Sequence, residues 1–386
     1  MPSPASAAST DSPAPPRGRR ALLARFLAQS RRARTLQAGA LALVVAAACF
    51  SLLGRRANPL LTTPALALQG LQARSLYYNG PAWPALRARR PDLLGEGGLS
   101  LGSERVRSFT QAVQNPKLFR QLDRQERFDK LLLVGDPSQY RPLLEHLYET
   151  RDWAVVYVDH TSLVFERGAA SKWQVGQVEA VMAKLGAASA RDRATFLALT
   201  AGKLVALHDA AAARTLLERA RALDARTPEV WSVQAQYHLG RGEWKDCEAA
   251  ADRALELEHG HLAAMGTKAQ VLYATKRFGE AYAISKKLIE RLPDDPAMLF
   301  YHAKIAHEAR AFGEEAKVLR KLIALAEKND RPASGYRVYL GQSLASAGER
   351  DPALEEFGKA MEDPDLPKAQ RDFAIDCMKV IRSQGQ

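Results

Sequence analysis

Residues 243–260 read EWKDCEAAADRALELEHG, and residues 277–296, which begin thirty-four positions later, read RFGEAYAISKKLIERLPDDP. The two stretches have the same texture, and Cys247 in the first corresponds to Ala281 in the second. A fixed period of this length is typical of repeat architectures, in which each unit buries its apolar face against its neighbours. The period therefore predicts a mainly α-helical solenoid.

The same pattern extends in both directions from this pair of stretches. An earlier copy reads AAAARTLLERARALDA at 210–225, and later copies begin near Ala311 and Glu349. We count five helix–turn–helix units, and the fourth carries about four extra residues. The predicted units cover roughly 194–227, 228–261, 262–295, 296–333 and 334–367. We also expect capping helices at 172–186 and 367–383, so that the solenoid domain covers residues 171–386.

These units resemble the tetratricopeptide repeat. The chain departs from the family pattern at Gln234–Ala235, where the Leu-Gly pair is expected, and at His259, where the closing Pro is expected. The matching positions are Trp231 for the first aromatic residue, Leu340–Gly341 for the Leu-Gly pair, Gly242 and Gly348 in the turn, Ala281 and Ala353 in the second helix, and Pro293 at the close.

The resemblance implies a concave groove lined by the first helix of each unit. It suggests that a partner protein or peptide segment docks there, held through amide side chains and apolar pockets. An alternative is that many of these positions are small because helices crowd together. The candidate partner-binding residues are Gln236, Gln270, Tyr273, Phe300, Lys304 and His307.

Residues 35–54 carry no charged side chain. About twenty helical residues span the ~30 Å hydrocarbon core of a bilayer, so this stretch predicts a single transmembrane helix. Seven arginines precede it and only three fall in the following twenty residues, a bias that predicts a cytoplasmic N-terminus. We expect residues 1–34 to form a disordered basic tail in the cytoplasm.

Three other interpretations of the N-terminal region stay open. A cleavable signal peptide needs a small-residue site directly after the apolar stretch, and the nearest Ala-x-Ala, at 65–67, lies over ten residues beyond it. A lipoprotein would be attached at Cys49, which would leave the apolar sequence FSLLG at the new N-terminus. The third alternative is a reversed topology with the solenoid in the cytoplasm.

Residues 55–170 lack the repeat period and predict a small α/β module. Between 64 and 78 we expect a helix, between 79 and 102 a loop rich in Gly and Pro, and from Ser103 to about Phe128 a helix. The pattern that follows predicts a parallel strand–helix–strand crossover and a hairpin. Its elements are a strand at 130–134, a helix at 138–150, a strand at 153–158, a turn at 159–162 and a strand at 163–167.

Two motifs in this module suggest chemistry at first sight. VGDPSQY at 134–140 has one Gly only, lacks the Lys-Ser/Thr of a phosphate loop and contains Pro137, so it predicts a strand-to-helix turn. Asp159 and His160 are adjacent between two strands, as in a hairpin turn. A general base needs an orienting partner and a nucleophile or metal. The sequence identifies none, so we predict no catalytic residue.

Trp153, Tyr157, Asp159, Phe165 and Arg167 carry a second resemblance. Residues 128–168 resemble the soluble tail of bacterial multi-spanning glycosyltransferase-like membrane proteins. The resemblance implies an external α/β module beside a membrane and no transferase activity, because the catalytic body has no counterpart here. The alternative function is an enzyme or accessory subunit for envelope glycan or glycosyl transfer, acting in a pocket around Asp136, Asp159 and His160.

Charge and cysteine content exclude several classes of partner. The net charge is +12, but residues 1–57 carry nine Arg against one Asp, whereas 58–170 carry fourteen basic against twelve acidic residues. The basicity belongs mainly to the tail, so we expect no nucleic-acid partner. The three cysteines share no metal-ligand spacing, and we predict neither a metal nor a cofactor.

Taken together, these patterns predict a single-pass protein of a bacterial inner (cytoplasmic) membrane with a periplasmic body. Its expected function is that of a protein–protein interaction scaffold or adaptor of the cell envelope.

Overall fold

The computed structural model describes residues 64–69, 71–94, 100, 102–169, 173–185, 188–328 and 331–383. The predicted tail at 1–34 and the predicted transmembrane helix at 35–54 lie outside these residues and stay predictions. Within the described ranges, every helix is too short or too polar to cross a bilayer. The described chain is mainly helical and contains one small sheet.

The sheet has four strands: β1 (Leu76–Tyr78), β2 (Lys130–Val134), β3 (Trp153–Val158) and β4 (Ser162–Arg167). Their spatial order is β1-β2-β4-β3. β1 runs parallel to β2, whereas β4 is antiparallel to both β2 and β3. β2 is a continuous apolar run with buried side chains on both faces, as expected for a central strand that is covered on both sides.

The strands expected at 130–134 and 153–158 are present, and the third begins one residue earlier than expected, at Ser162. β2 and β3 run in the same direction because both are antiparallel to β4, so the predicted parallel crossover is present, with β4 lying between its two strands. The prediction of a helix at 64–78 is wrong for most of this stretch. Among its described residues only α1 (Ala65–Leu68) is helical, and the last three residues form β1. β1 depends on pairing with β2 more than fifty residues away, which no local pattern shows.

The other α-helices in the described part of the module are α2 (Trp83–Arg89), α3 (Glu104–Ala112), α4 (Pro116–Glu126) and α5 (Arg141–Thr150). α2 falls in the segment expected to be a loop. The single helix expected from Ser103 to Phe128 is divided because Asn115 caps a new helix: its Oδ1 accepts hydrogen bonds from the backbone N–H groups of Lys117 and Leu118. Pro116 occupies the first helical position, where its missing N–H carries no penalty.

The capping helix expected at 172–186 is present only as a 3₁₀ turn (Val175–Gln177) followed by α6 (Val178–Ala183). The capping helix at the other end, α17 (Lys368–Ser383), agrees with the expectation. Between them lie five helical pairs. In chain order these are α7 (Ala190–Ala206) with α8 (Ala210–Leu223), α9 (Pro228–Arg241) with α10 (Trp244–Leu257), α11 (Leu262–Ala274) with α12 (Phe278–Arg291), α13 (Pro296–Glu308) with α14 (Phe312–Lys328), and α15 (Ser334–Ala347) with α16 (Arg350–Met361).

Each first helix packs against its own second helix, and each second helix packs against the next first helix. This is the stacking expected of the predicted solenoid. The first unit begins four residues earlier than expected, at a capping box in which the Ser189 and Asp192 side chains each accept a hydrogen bond from the other's backbone N–H. The extra residues of the fourth unit lengthen α14, which has 17 residues where α12 has 14.

The turn between the two helices of each pair contains one residue with a positive φ. In chain order these residues are His208 (58°), Gly242 (74°), Lys276 (64°), Arg310 (59°) and Gly348 (88°). They recur at the repeat period, with the longer fourth unit included. Two are the turn glycines identified from the sequence, and the other three carry a side chain in a conformation that L-residues rarely adopt.

The sheet and the first repeats share one hydrophobic core. Buried side chains from β2, from α7 and α8, and from α9 form a continuous cluster that includes Leu131, Phe196, Leu216 and Val230. The core therefore continues across the segment near residue 170 where the sequence composition changes.

Candidate functional site

The first helices of the repeats form a common face. α9 packs against both α7 and α11, in addition to the second helices around it. Gln236, Gln270 and Lys304 are spaced thirty-four residues apart, so they occupy the same position in successive units. Gly266, Gln270 and Tyr273 are spaced i, i+4 and i+7 and therefore lie on one side of α11. The predicted groove residues thus belong to one repeating face.

Exposure along this face is uneven. Gln236 and Gln270 are buried, with 7% and 4% of their surface exposed. Tyr273, Phe300, Lys304 and His307 are half-buried. The face is therefore most buried at Gln236 and Gln270 and more accessible at Tyr273 and along α13.

Several buried polar atoms on α9 and α11 have no hydrogen-bond partner among the described residues. Both polar atoms of the Gln270 amide are in this state, as are Oγ of Ser232 and Oε2 of Glu229. An unsatisfied buried polar group costs roughly 1–3 kcal/mol. Native folds contain few of them, and three of the residues concerned lie on this face.

The accessible part of the face carries an aromatic cluster with a cation. The ring centroid of Phe300 lies 5.6 Å from that of Tyr336 and 5.1 Å from that of Tyr339, both in edge-to-face geometry. Nζ of Lys304 lies 5.3 Å from the centre of the Phe300 ring, within range of a cation–π interaction. Tyr336 and Tyr339 were not among the predicted groove residues, because they flank the family's groove positions on α15. We call Phe300, Lys304, Tyr336 and Tyr339 the aromatic–basic cluster.

His307 is the last of the predicted groove residues on α13. Its Nδ1 lies 3.0 Å from Oε2 of Glu315, and the hydrogen bond to this buried carboxylate raises the pKa of His307. His302, five residues earlier on the same helix, lies away from this face. It is fully buried, its Nδ1 lies 2.8 Å from Oγ of Ser285, and its ring stacks on Tyr282. His302 therefore holds α12 against α13 and does not contribute to the face.

The sequence motifs around Asp136 and Asp159 do come together in space. Gly135 and Asp136 follow β2, and Asp159 and His160 follow β3, so both pairs lie at the carboxyl ends of their strands. His160 packs on Phe196 of α7 with ring centroids 4.9 Å apart. The tight turn predicted at 159–162 is present, and the first repeat covers it.

Lys203 of α7 completes this junction, and sequence reasoning missed it. It is only 4% exposed and its Nζ donates a hydrogen bond to the carbonyl oxygen of Gly135. Burial lowers the pKa of Lys203 to about 8, although the nearby charges of Asp136 and Asp159 act in the opposite direction. The only sequence signal was a Lys among the apolar and small residues of an otherwise buried helix face.

The hydrogen bonding of Asp159 identifies the junction as structural. Its Oδ1 accepts hydrogen bonds from the backbone N–H groups of Thr161 and Ser162, both at 2.7 Å, and from the Thr161 hydroxyl at 2.9 Å. Its Oδ2 accepts from the Tyr157 hydroxyl at 2.8 Å. A carboxylate held by four donors and fully buried is poorly placed to take a proton from a substrate. We therefore assign this cluster to the contact between the sheet and the first repeat.

A possible metal-ligand set lies in the turn of the second unit. Ligand atoms of His238, Glu243 and Asp246 lie within 4.8 Å of one another. Glu243 is already engaged, since Nδ1 of His238 lies 2.7 Å from its Oε2 and Nε of Arg241 donates to its Oε1 at 2.7 Å. The two partners lower the pKa of Glu243 through these hydrogen bonds. The geometry is that of an ion-paired turn, and we assign no metal centre to it.

The repeats are similar in fold to solved tetratricopeptide-repeat structures. MamA from Desulfovibrio magneticus has 18% identity over 44% of this chain and 92% of its own, with a TM-score of 0.38. YrrB, whose structure is described as a TPR protein with an unusual peptide-binding site, has 15% identity over 47% of this chain and 90% of its own, with a TM-score of 0.40.

A tetratricopeptide repeat protein from Parabacteroides merdae has 13% identity over 78% of this chain and 98% of its own, with a TM-score of 0.33. A scan against protein-family models and a search of curated proteins both find no match.

Proposed function

We propose that this chain is a protein–protein interaction scaffold that docks a segment of a partner protein on the common face of its first helices. The observation that carries the proposal is the aromatic–basic cluster on α13 and α15. Energetic hot spots in protein interfaces are enriched in Tyr, Trp and Arg and lie in partly enclosed pockets. Half-buried aromatic rings that already pack edge to face offer such a pocket without a large ordering cost on binding.

The unpartnered polar atoms of Ser232, Gln270 and Glu229 support the proposal that a partner segment docks on this face. A carboxamide offers both a donor and an acceptor to the backbone of an extended peptide. Rotation of the Gln270 side chain toward a docked segment would exchange its unsatisfied state for two hydrogen bonds. The aromatic–basic cluster would then anchor the segment, and the amides of α9 and α11 would fix its path.

Site-specific photocrosslinking tests this proposal in cells that produce the full chain. A Phe300→p-benzoylphenylalanine variant should form a discrete covalent adduct with the partner, and the same substitution at Tyr273 should give an adduct of the same identity. Lys317→p-benzoylphenylalanine is the matched control, because Lys317 is exposed on the second helix of the same unit as Phe300. Adducts that form equally well from position 317, or only from there, would overturn the proposal.

Two substitutions refine the test. Tyr339→Ala should weaken the adduct at position 300 by about fivefold or more, because truncating an aromatic hot spot costs at least ~1 kcal/mol in a typical interface. Trp244→Ala is the control for loss of an aromatic ring: this side chain is 40% exposed at the start of the second helix α10. If both substitutions reduced the yield of the adduct equally, the partner would not bind in the groove.

We propose in addition that residues 35–54 anchor the chain in a bacterial inner membrane, with residues 1–34 in the cytoplasm and the body in the periplasm. The uncharged length of the segment and the excess of Arg before it support this proposal. Reporters that are active on only one side of the membrane, fused after Gln386, test it. Activity of a cytoplasm-specific reporter would reverse the topology, and full extraction of the chain by alkaline carbonate would rule out the anchor.

A further inference from the structure

Helix α4 (Pro116–Glu126) presents a basic face to solvent. Lys117, Arg120 and Arg124 are spaced i, i+3 and i+7, so they lie along one side of the helix. Together with Gln121 and Gln125 they line a shallow surface concavity, and all five are exposed. The opposite side of the helix is fixed in the core, where Phe119 is almost fully buried. The basic face is therefore held rigidly outward.

The acidic residues of α4 are neutralised elsewhere. Asp123 accepts a 2.6 Å hydrogen bond from Nη2 of Arg167 on β4, and Oε2 of Glu126 lies 3.4 Å from Nη2 of Arg105 on α3. Among the described residues, Lys117, Arg120 and Arg124 form no ion pair. The helix thus directs its negative charges to the module and leaves three positive charges together on the outside.

The side chains on this face are better suited to binding an anionic surface than to binding a folded protein. Lys117 and Arg124 are separated by about 10 Å along the helix axis, from a rise of 1.5 Å per residue. The exposed side of α4 offers cations and amides and no exposed aromatic or aliphatic anchor, whereas protein interfaces depend on such anchors. Lys, Arg and Gln side chains all donate hydrogen bonds, and phosphate oxygens accept them.

The position of the module in the chain identifies the surface. The described chain begins at Pro64, and the predicted anchor ends at Gly54. A segment of about ten residues reaches at most about 35 Å when fully extended. An anchored module therefore meets the headgroups of its own bilayer at high effective concentration, so that a weak contact is sufficient.

We propose that the basic face of α4 binds the anionic headgroups of the bilayer that holds the anchor, and thereby fixes the orientation of the module on the membrane. The inference rests on the proposed anchor. Because the sheet and the first repeats share one core, the contact also restricts the direction in which the first repeats leave the membrane.

Fluorescence quenching of the full chain in lipid nanodiscs tests this inference. A Gln125→Cys substitution supplies a labelling site beside the three cations, and Cys49→Ser removes the cysteine in the predicted anchor. Burial raises the pKa of Cys247 to about 12 and that of Cys377 to about 11. At neutral pH a maleimide dye therefore reacts with the introduced thiol in preference to these two.

Headgroup-spin-labelled lipid should quench the dye more strongly when part of the phosphatidylcholine is replaced by phosphatidylglycerol. Each Lys or Arg near an anionic surface strengthens binding about fivefold. The combined Lys117→Gln, Arg120→Gln and Arg124→Gln variant should therefore lower the ratio of surface-bound to free module by roughly a hundredfold. High salt should have a similar effect, since the screening length falls from ~10 Å at about 0.1 M to ~3 Å at about 1 M.

The matched control neutralises three exposed lysines on second helices, Lys245, Lys286 and Lys287, and should leave quenching unchanged. Quenching that is equal in both lipid compositions overturns the inference. So does a dye response to added polyglutamate in pure phosphatidylcholine discs, which would identify acidic protein as the ligand. Failure of the chain to co-purify with either kind of disc would instead refute the anchor, which distinguishes the two proposals.

Discussion

Lys203, in the first helix of the first repeat, donates a hydrogen bond to the carbonyl oxygen of Gly135 at the end of strand β2. The contact joins two parts of the chain that have different sequence patterns. Asp136 and Asp159 lie close enough to influence the titration of Lys203, so the junction is both buried and charged. Its stability depends on every member being present, because a buried charge without its counterpart is strongly unfavourable.

Lys203→Met should therefore destabilise the chain by about 1.5–3 kcal/mol, because it removes a buried, charged hydrogen-bond donor to the Gly135 carbonyl oxygen. Urea unfolding of the full chain in mild detergent, followed by circular dichroism, measures the change. Lys317→Met removes an exposed lysine of a second helix and should stay within about 0.5 kcal/mol of the parent. A Lys203→Met variant as stable as this control would contradict the role assigned to the junction.

Asp159→Ala removes the acceptor of four hydrogen bonds and leaves buried donors without a partner. Hydrogen bonds to charged groups contribute roughly 1.5–3 kcal/mol each, and since these are coupled we expect a total loss of at least about 4 kcal/mol. The comparison is Asp152→Ala, at an exposed position just before β3, which should change little. If Asp159→Ala kept full stability and abolished a glycan-modifying activity, the enzyme hypothesis would replace the structural one.

His302 should make the repeats sensitive to acid. Burial lowers the pKa of His302 to about 4 in the folded chain, whereas the unfolded value is about 6.5. Between these values the unfolded state binds the proton and the folded state does not. The stability is therefore complete above pH ~6.5 and falls as the pH drops toward ~4, by roughly 3 kcal/mol at most.

The free energy of unfolding of the parent and of His302→Gln, measured as a function of pH, isolates this effect. The variant should lose the fall in stability between pH ~6.5 and ~4. His259→Gln, at an exposed position, should keep it. A difference measurement is needed because His307 acts in the opposite sense. The hydrogen bond that His307 donates to Glu315 raises the pKa of His307, so its contribution to stability is present at low pH and is lost as the pH rises through that pKa.

Gly341→Ala should destabilise the last repeat, because the added Cβ would lie 2.9 Å from the ring of Phe357. Phe357 is fully buried between α15 and α16, and overpacking of this kind costs about 1–3 kcal/mol. Gly358→Ala, at the next position along α16, meets no atom within 4 Å and should stabilise the helix by roughly 0.5–1 kcal/mol. Thermal unfolding of the two variants should therefore shift in opposite directions.

The repeat period predicted most of the fold because each unit contacts mainly its neighbours, so that the pattern is local. Cys247 and Ala281, the pair that first showed the period, are both fully buried. The first strand was not predictable in the same way. Tyr77 and Tyr78 become a strand only by pairing with Leu131 and Leu132, and α2, α3 and α4 lie between the two strands in the chain.

The sequence predicted which residues share one side of the repeats, but it did not predict how exposed those residues are. The period places Gln236 and Gln270 on the same side of their helices, and this needed only helical geometry. Their burial depends on how closely neighbouring first helices approach each other, and a single sequence contains no measure of that distance. Lys203 was missed for a related reason: its partner is a backbone carbonyl, which has no sequence signature.

The turns within the repeats show where the fold demands a particular residue and where it does not. A left-handed conformation costs an L-residue about 1–2 kcal/mol, yet His208, Lys276 and Arg310 adopt it where two other units use Gly. The closing of each helical pair therefore imposes the turn, whatever residue occupies it. Glycine is therefore energetically favourable at this turn position, but the fold does not require it. A unit can therefore lack the turn glycine and still fold as a helical pair, and such a unit is harder to recognise in the sequence.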